Sequence, residues 1–123
     1  MQRVLVVEDD INTRSAVEKH LAEAGYAIHC AANGWEALLV LDHESIDLVL
    51  LDLVMPGMDG QTFLRILRNG VKHRNVPVIV VTAFDVPEME KLVNPLGVER
   101  VLGKKPPLWD DLIPAVRDAL EAA

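Results

Sequence analysis

A single cysteine, Cys30, in 123 residues excludes a disulfide framework and a cysteine-rich zinc site. No apolar run approaches the ~18 residues of a membrane span, and Met1 leads straight into a short strand-like run instead of a signal peptide. Positive charge is scarce: 12 Lys and Arg stand against 19 Asp and Glu, a formal net charge of −7. Nucleic-acid binding draws most of its affinity from neutralised phosphates, so direct binding by this chain is not expected. The densest basic group, Arg65, Arg68, Lys72 and Arg74, has no aromatic residue interleaved with it, and aromatics make up only 4% of the chain. A divalent cation or a basic partner suits the sign of the charge better.

What is present fits one globular domain over residues 1–123, in the cytoplasm. Half the residues are apolar and a quarter are charged, a balance that excludes disorder and collagen. Short apolar runs alternate with amphipathic stretches. The runs are Arg3–Val7, Ala27–Ala31, Leu48–Leu51, Val76–Val81 and Val98–Leu102. Three of them (VLVV, LVLL, VPVIVV) are nearly unbroken Val, Leu and Ile, the pattern of strands covered on both faces. The second alternates weakly and the fifth carries Glu99 and Arg100, so these two read as sheet edges.

Between the runs the period becomes helical. Ala16, Val17, Leu21 and Ala24 share a face ahead of a Gly25 stop. Asn33 is placed to cap a helix carrying Trp35, Leu38, Leu39 and Leu41. A third helix starts near Gly60 with Phe63, Leu64 and Leu67. A fourth starts with Pro87 as its first residue and ends before Pro95. The fifth runs from about Trp109 to Leu120, with Pro114 near its first turn. Strand–helix alternation of this kind predicts an α/β fold: one doubly wound parallel sheet with right-handed crossovers.

Parallel strands place their carboxyl ends along one edge, where ligands of such sheets bind. Glu8, Asp9 and Asp10 follow the first run, Asp52 the third and Thr82 the fourth; Lys104 and Lys105 follow the fifth. Taken singly, each has an ordinary reading: a solvated acidic turn, a turn cap, a β-prone threonine, surface lysines. Their joint placement at strand ends is what those readings leave unexplained. Crowded carboxylates repel and are relieved by a divalent cation. Oxygen-only ligands favour Mg²⁺, or Mn²⁺ in its place, over zinc. A hydroxyl and an ammonium facing that cation complete a cradle for phosphoryl oxygens.

These segments resemble the receiver domain of two-component response regulators, over essentially the whole chain. VLVVEDD at Val4–Asp10 is similar to the family's opening strand and acidic pair, and LVLLDLVMPGMDG at Leu48–Gly60 to its phosphoacceptor motif. VTA at Val81–Ala83 and KP at Lys105–Pro106 supply the rest, with agreeing spacings. The resemblance implies the flavodoxin-like strand order 2-1-3-4-5. It implies Asp52 as phosphoacceptor, and Mg²⁺ held by Asp9, Asp52 and the backbone carbonyl of Val54, with Glu8 acting through a water. Thr82 and Lys104 would contact phosphoryl oxygens. Asp10 reads as extra charge, and Pro56-Gly57 with Asp59-Gly60 as a tight loop. The implied partners are a sensor histidine kinase or phosphotransfer protein and an output partner or effector domain; a homodimer stays open.

Two departures stand out. The family's single Lys before Pro is here Lys104-Lys105-Pro106; the ungapped count selects Lys104, with Lys105 the alternative. Val101 stands where many receivers carry Tyr or Phe, so the usual Thr-to-aromatic relay is missing, and output can instead pass through the loop after Thr82 or the fourth helix. The alternative function is an interaction module that works without phosphorylation. No dedicated enzyme class is implied beyond self-catalysed phosphorylation and dephosphorylation at Asp52. A haloacid-type phosphatase is disfavoured because Val54 occupies the position of its second Asp. A flavin-binding reading fails for want of a Ser/Thr/Gly-rich loop after the first strand. The sequence runs out soon after the fifth helix, which fits a stand-alone regulator and equally a piece of a longer protein. Cys30 and Trp35 read as core residues, Trp109 as an anchor of the fifth helix, and the four histidines as structural.

Overall fold

In the computed structural model, which describes residues 1–55, 57–105 and 108–122, five parallel strands form one sheet in the order β2-β1-β3-β4-β5. The strands are β1 (Arg3–Val7), β2 (Ala27–Ala31), β3 (Leu48–Leu51), β4 (Val78–Thr82) and β5 (Arg100–Gly103). The helices are α1 (Ile11–Glu23), α2 (Gly34–His43), α3 (Gly60–Asn69), α4 (Val86–Val93) and α5 (Leu108–Ala122). A 3₁₀ turn, Asn94–Leu96, follows α4. The fold is the expected doubly wound α/β fold, with β2 and β5 at the edges.

The three apolar runs became the inner strands because they can be buried on both sides. Val4 and Leu48 face one core with Leu21, Leu112 and Val116. Leu5, Val49 and Val80 face the other with Phe63, Leu64 and Leu67. Among the described residues, α1 to α4 each start on a side-chain cap: Asp10, Asn33, Asp59 and Asp85 accept from the N–H groups of Thr13, Glu36, Thr62 and Glu88. Each cap satisfies a donor that the helix itself leaves free. Gly25, at φ +94°, ends α1 as predicted, in a conformation that a Cβ would penalise.

Several expectations need correction. β4 begins at Val78, not Val76: Pro77 has no N–H to donate to the ladder, although its carbonyl still accepts from Val49 of β3. β5 begins at Arg100, not Val98. Asp85 caps α4, so Val86 is its first residue and Pro87 its second. Pro114 lies inside α5, beyond the first turn, because the helix begins at Leu108.

The face of α2 also differs. Gly34, Ala37 and Leu41 are buried, whereas Trp35 and Leu39 are 62% and 60% exposed. The segment is apolar on every side, so its period does not select a face. What selects it is close approach: a Cβ on Gly34 would come within 2.7 Å of the Met58 sulfur. On α1, Val17 and Leu21 are buried, but Ala24, just past its end, is exposed. Trp109 stacks on His20 with ring centroids 4.2 Å apart, tying α5 to α1 as an anchor would. Cys30 is only half-buried, on edge strand β2, and its thiol donates to the Glu18 carboxylate.

The basic group at the end of α3 is structural at its centre. Arg68 donates to four main-chain carbonyls: Leu96 (2.7 Å), Arg74 (3.1 Å), Val76 (2.7 Å) and Gly97 (3.1 Å). It joins the segments leading into β4 and β5, at the edge of the sheet opposite to the carboxyl ends.

Candidate functional site

The carboxyl edge gathers the residues that the sequence places at strand ends. Register carries them there: Val7, Leu51 and Val80 lie side by side across three strands, and Thr82 pairs with Gly103. Glu8 and Asp52 leave β1 and β3 together, with the Asp52 N–H donating to the Val7 carbonyl at 3.0 Å. Among the described residues, Glu8, Asp52 and Thr82 are the buried polar side chains, 4%, 6% and 0% exposed. Burying such groups is costly unless each has a partner.

The partners are present. Lys104 Nζ lies 2.6 Å from Glu8 Oε1 and 3.1 Å from Asp52 Oδ2. The Val54 N–H donates to Asp52 Oδ1 at 3.1 Å. The Phe84 N–H donates to Thr82 Oγ1 at 3.0 Å, and the Lys104 N–H to the Thr82 carbonyl at 2.7 Å. Lys104, not the exposed Lys105, reaches the carboxylates. Pro56 of the loop after Asp52 and Pro106 of the KP pair lie outside the described residues.

Glu8, Asp9 and Asp52 each offer an oxygen, and these oxygens all lie within 4.8 Å of one another. Asp10 is not part of this group; it caps α1 through Thr13, whose hydrogen bonds lower its pKa. The distinction was not legible in the run Glu8-Asp9-Asp10 alone. Asp59 and Asp85, also acidic and near the same edge, likewise serve as caps.

The electrostatics follow from crowding. Burial, then the neighbouring Asp52 carboxylate, push Glu8 up to about 7, against the opposing pull of Lys104. Burial alone would lower the pKa of Lys104; hydrogen bonds and charge from Glu8 and Asp52 outweigh it, and the net shift is upward. One ammonium is therefore shared between two buried carboxylates, with Asp9 exposed beside them. Three carboxylates gathered around one ammonium leave the site short of positive charge. Its donors are all oxygen, which fits a hard divalent cation such as Mg²⁺.

The sequence reading passed over Arg14 and took Gly60 only as part of a tight loop at the start of α3. Arg14, on the first turn of α1, donates to the Glu8 carbonyl at 2.8 Å; only its place one turn after the acidic run hints at this. Gly60 is pressed against the loop after Asp52: a Cβ there would meet Leu53 Cα at 2.5 Å and the Asp52 carbonyl oxygen at 2.6 Å. A glycine closing the Asp52 motif was the available signal.

A probable transcriptional regulator, ycf27 of Pyropia yezoensis, is 42% identical over 83 residues, covering 68% of this chain and 33% of that protein. A probable transcriptional regulatory protein, SilR of Salmonella typhimurium, is 34% identical over 118 residues, covering 96% of this chain and 50% of that protein. The chain thus spans about a third to a half of the length of these relatives. Chemotaxis protein CheY4 of Vibrio cholerae has a similar structure, with TM-score 0.89 and 29% identity over 97% of this chain and 98% of that one. The response regulator protein TrrA of Thermotoga maritima, solved in complex with Mg²⁺-BeF, gives TM-score 0.84 and 31% identity over 97% of this chain and 99% of that one. The family described as "Response regulator receiver domain" matches residues 4–117, and the chain belongs to it.

Proposed function

We propose that this chain is a Mg²⁺-dependent phosphoacceptor switch, in which a sensor histidine kinase or phosphotransfer protein passes a phosphoryl group to Asp52. The carrying observation is the placement of the Asp52 carboxylate. It is nearly buried, held between Lys104 Nζ and the Val54 N–H, each at 3.1 Å, within reach of Glu8 and Asp9. A buried carboxylate fixed at both oxygens is oriented for attack and shielded from competing water.

In the reaction, an Asp52 oxygen attacks the phosphorus of a phosphohistidine. The O–P bond forms and the P–N bond breaks; the electron pair stays on the imidazole nitrogen, which takes up a proton. Asp9, Asp52 and the Val54 carbonyl would hold Mg²⁺ directly and Glu8 through a water, with Mn²⁺ a workable substitute. When bound, the cation offsets charge on the carboxylates and the incoming phosphoryl oxygens. Lys104, already at the Asp52 carboxylate, would pair with a phosphoryl oxygen, and Thr82 would donate its hydroxyl to another. Thr82 also accepts from Phe84, so recruiting its hydroxyl pulls on the loop into α4.

The product dianion then biases an existing two-state equilibrium. Turning such a switch from mostly off to mostly on needs roughly 5.5 kcal/mol of differential interaction, within reach of a partly buried dianion held by an ammonium, a hydroxyl and a divalent cation. Incubation with acetyl phosphate and Mg²⁺ should add one phosphoryl unit, read by intact mass. Asp52→Asn should abolish it; undiminished labelling of that variant would overturn the reading.

A further inference from the structure

Beside the phosphoacceptor site lies an apolar cleft between the start of α3 and α4, of about 280 Å³ and lined chiefly by Leu53, Val54, Phe84, Met89 and Leu92. Small-molecule pockets usually hold ~300–1,000 Å³, so this cleft suits a few side chains of a partner better than a whole ligand. Three of its walls stand open to water: Val54, Phe84 and Leu92 are 54%, 56% and 49% exposed. Large hydrophobes exposed together around one concavity mark an interaction surface.

Both sides of the cleft are wired to the site. The Val54 N–H donates to Asp52 Oδ1, and the Phe84 N–H to Thr82 Oγ1. Any event that redirects the Asp52 carboxylate and the Thr82 hydroxyl must break or re-aim the hydrogen bonds that position these two hydrophobes. Val101, buried in the core beside Val93, supplies no aromatic lever, whereas Phe84 is an aromatic ring two residues from Thr82.

Charge identifies the occupant. Asp59 lines the cleft, Asp85 caps the helix that forms its other wall, and Glu88 follows on the first turn of that helix. Asp59 and Asp85 each use Oδ1 for the cap, leaving Oδ2 for an incoming cation. Helical spacing puts Lys91, the basic residue of α4, on the side away from Met89 and Leu92. Arg65 stands one turn beyond Gln61 on α3, so the acidic end is the one nearer the phosphoacceptor site. A second copy of this chain, with net charge −7, would bring the same acidic rim against its like.

Resting on the phosphoacceptor reading, we infer that this cleft receives a basic amphipathic segment of an output partner, and that phosphoryl occupancy at Asp52 gates it. The segment presents two bulky apolar residues on one face, at helix-in-groove spacing. Lys or Arg at one end meets Asp59 and Asp85.

A random-peptide phage library panned against the chain carrying Mg²⁺ and beryllofluoride tests this, with fluorescence polarisation of the enriched peptides. Enriched sequences should pair apolar residues at i, i+3 or i, i+4 with Lys or Arg. They should bind at least ~5-fold more tightly with beryllofluoride than without it. Leu92→Asp and Phe84→Ala, each checked for folding by circular dichroism, should each weaken binding about tenfold. Acidic or uncharged winners, equal binding with and without beryllofluoride, full binding by both folded variants, or no enrichment would each overturn the inference. So would a dimer in sedimentation that Leu92→Asp dissolves. Labelling of the same preparation by acetyl phosphate separates the two readings: a chain that labels at Asp52 but fails here overturns the cleft alone, and one that does not label overturns both.

Discussion

Lys104 Nζ and Asp52 Oδ2 meet at 3.1 Å across a separation of 52 residues, and the same ammonium lies 2.6 Å from Glu8. It is the positive charge that makes burial of two carboxylates tolerable. Lys104→Met should cost about 1–3 kcal/mol of stability without added metal, because two buried carboxylates lose their counter-charge. Mg²⁺ should restore part of the loss, so the rise in melting temperature on adding Mg²⁺ should be larger in Lys104→Met than in the parent chain. Lys105→Met, removing an exposed ammonium, should leave both melts unchanged. Paired melts with Mg²⁺ and EDTA check all three.

Gly60 makes a different demand on the same site. An added Cβ would meet backbone atoms of Leu53 and Asp52 at 2.5 and 2.6 Å, and backbone cannot give way as a side-chain tip can. Gly60→Ala should destabilise by about 1–3 kcal/mol and slow labelling of Asp52 by acetyl phosphate. Gly34→Ala, whose Cβ would meet the Met58 sulfur at 2.7 Å, should be milder because a thioether can rotate away. Urea denaturation and labelling rates of the two variants make the comparison.

Which parts were legible in sequence follows from how local their causes are. LVLL and VIVV announce inner strands because a sheet covered on both faces accepts only apolar side chains. Once those strands are parallel, Glu8, Asp52, Thr82 and Lys104 must share an edge. The face of α2 was illegible because Trp35, Leu38, Leu39 and Leu41 offer apolar contact all round, and the choice fell to Gly34 against Met58. Asp10, Asp59 and Asp85 look like site acids by composition; only the N–H groups they accept from reveal them as caps. The work of Arg68 was hidden for the same reason, since carbonyls carry no residue identity.

Arg68 supports a stability prediction remote from the chemistry. Its guanidinium satisfies the carbonyls of Leu96, Arg74, Val76 and Gly97, and no single other side chain matches that fork. Arg68→Met should cost about 1–2 kcal/mol, because the part-buried contacts to the Leu96 and Val76 carbonyls lose their donor. Arg68→Lys should recover less than half, because one ammonium cannot reach both segments. Labelling at Asp52 in conditions where the variants remain folded should be unchanged, since these carbonyls lie at the opposite edge of the sheet. Urea midpoints and acetyl phosphate labelling give the two readouts.

Cys30 should be a slow thiol. Burial, followed by the hydrogen bond to and charge of Glu18, push its pKa up to about 12, against the ~8.5 of a free cysteine. The thiolate is the reactive form, so a raised pKa means a smaller reactive fraction at any pH below it. Alkylation by iodoacetamide at pH 8 should therefore run far slower than for glutathione and rise about tenfold per pH unit through pH 10, where a free thiol has already levelled off. Glu18→Gln removes the negative charge but leaves the burial, which is the larger cause. It should speed the reaction several-fold without restoring the rate of a free thiol. A plateau below pH 9 in the parent chain would show that the thiol is not raised, and no acceleration in Glu18→Gln would show that the Glu18 contact contributes nothing to the shift.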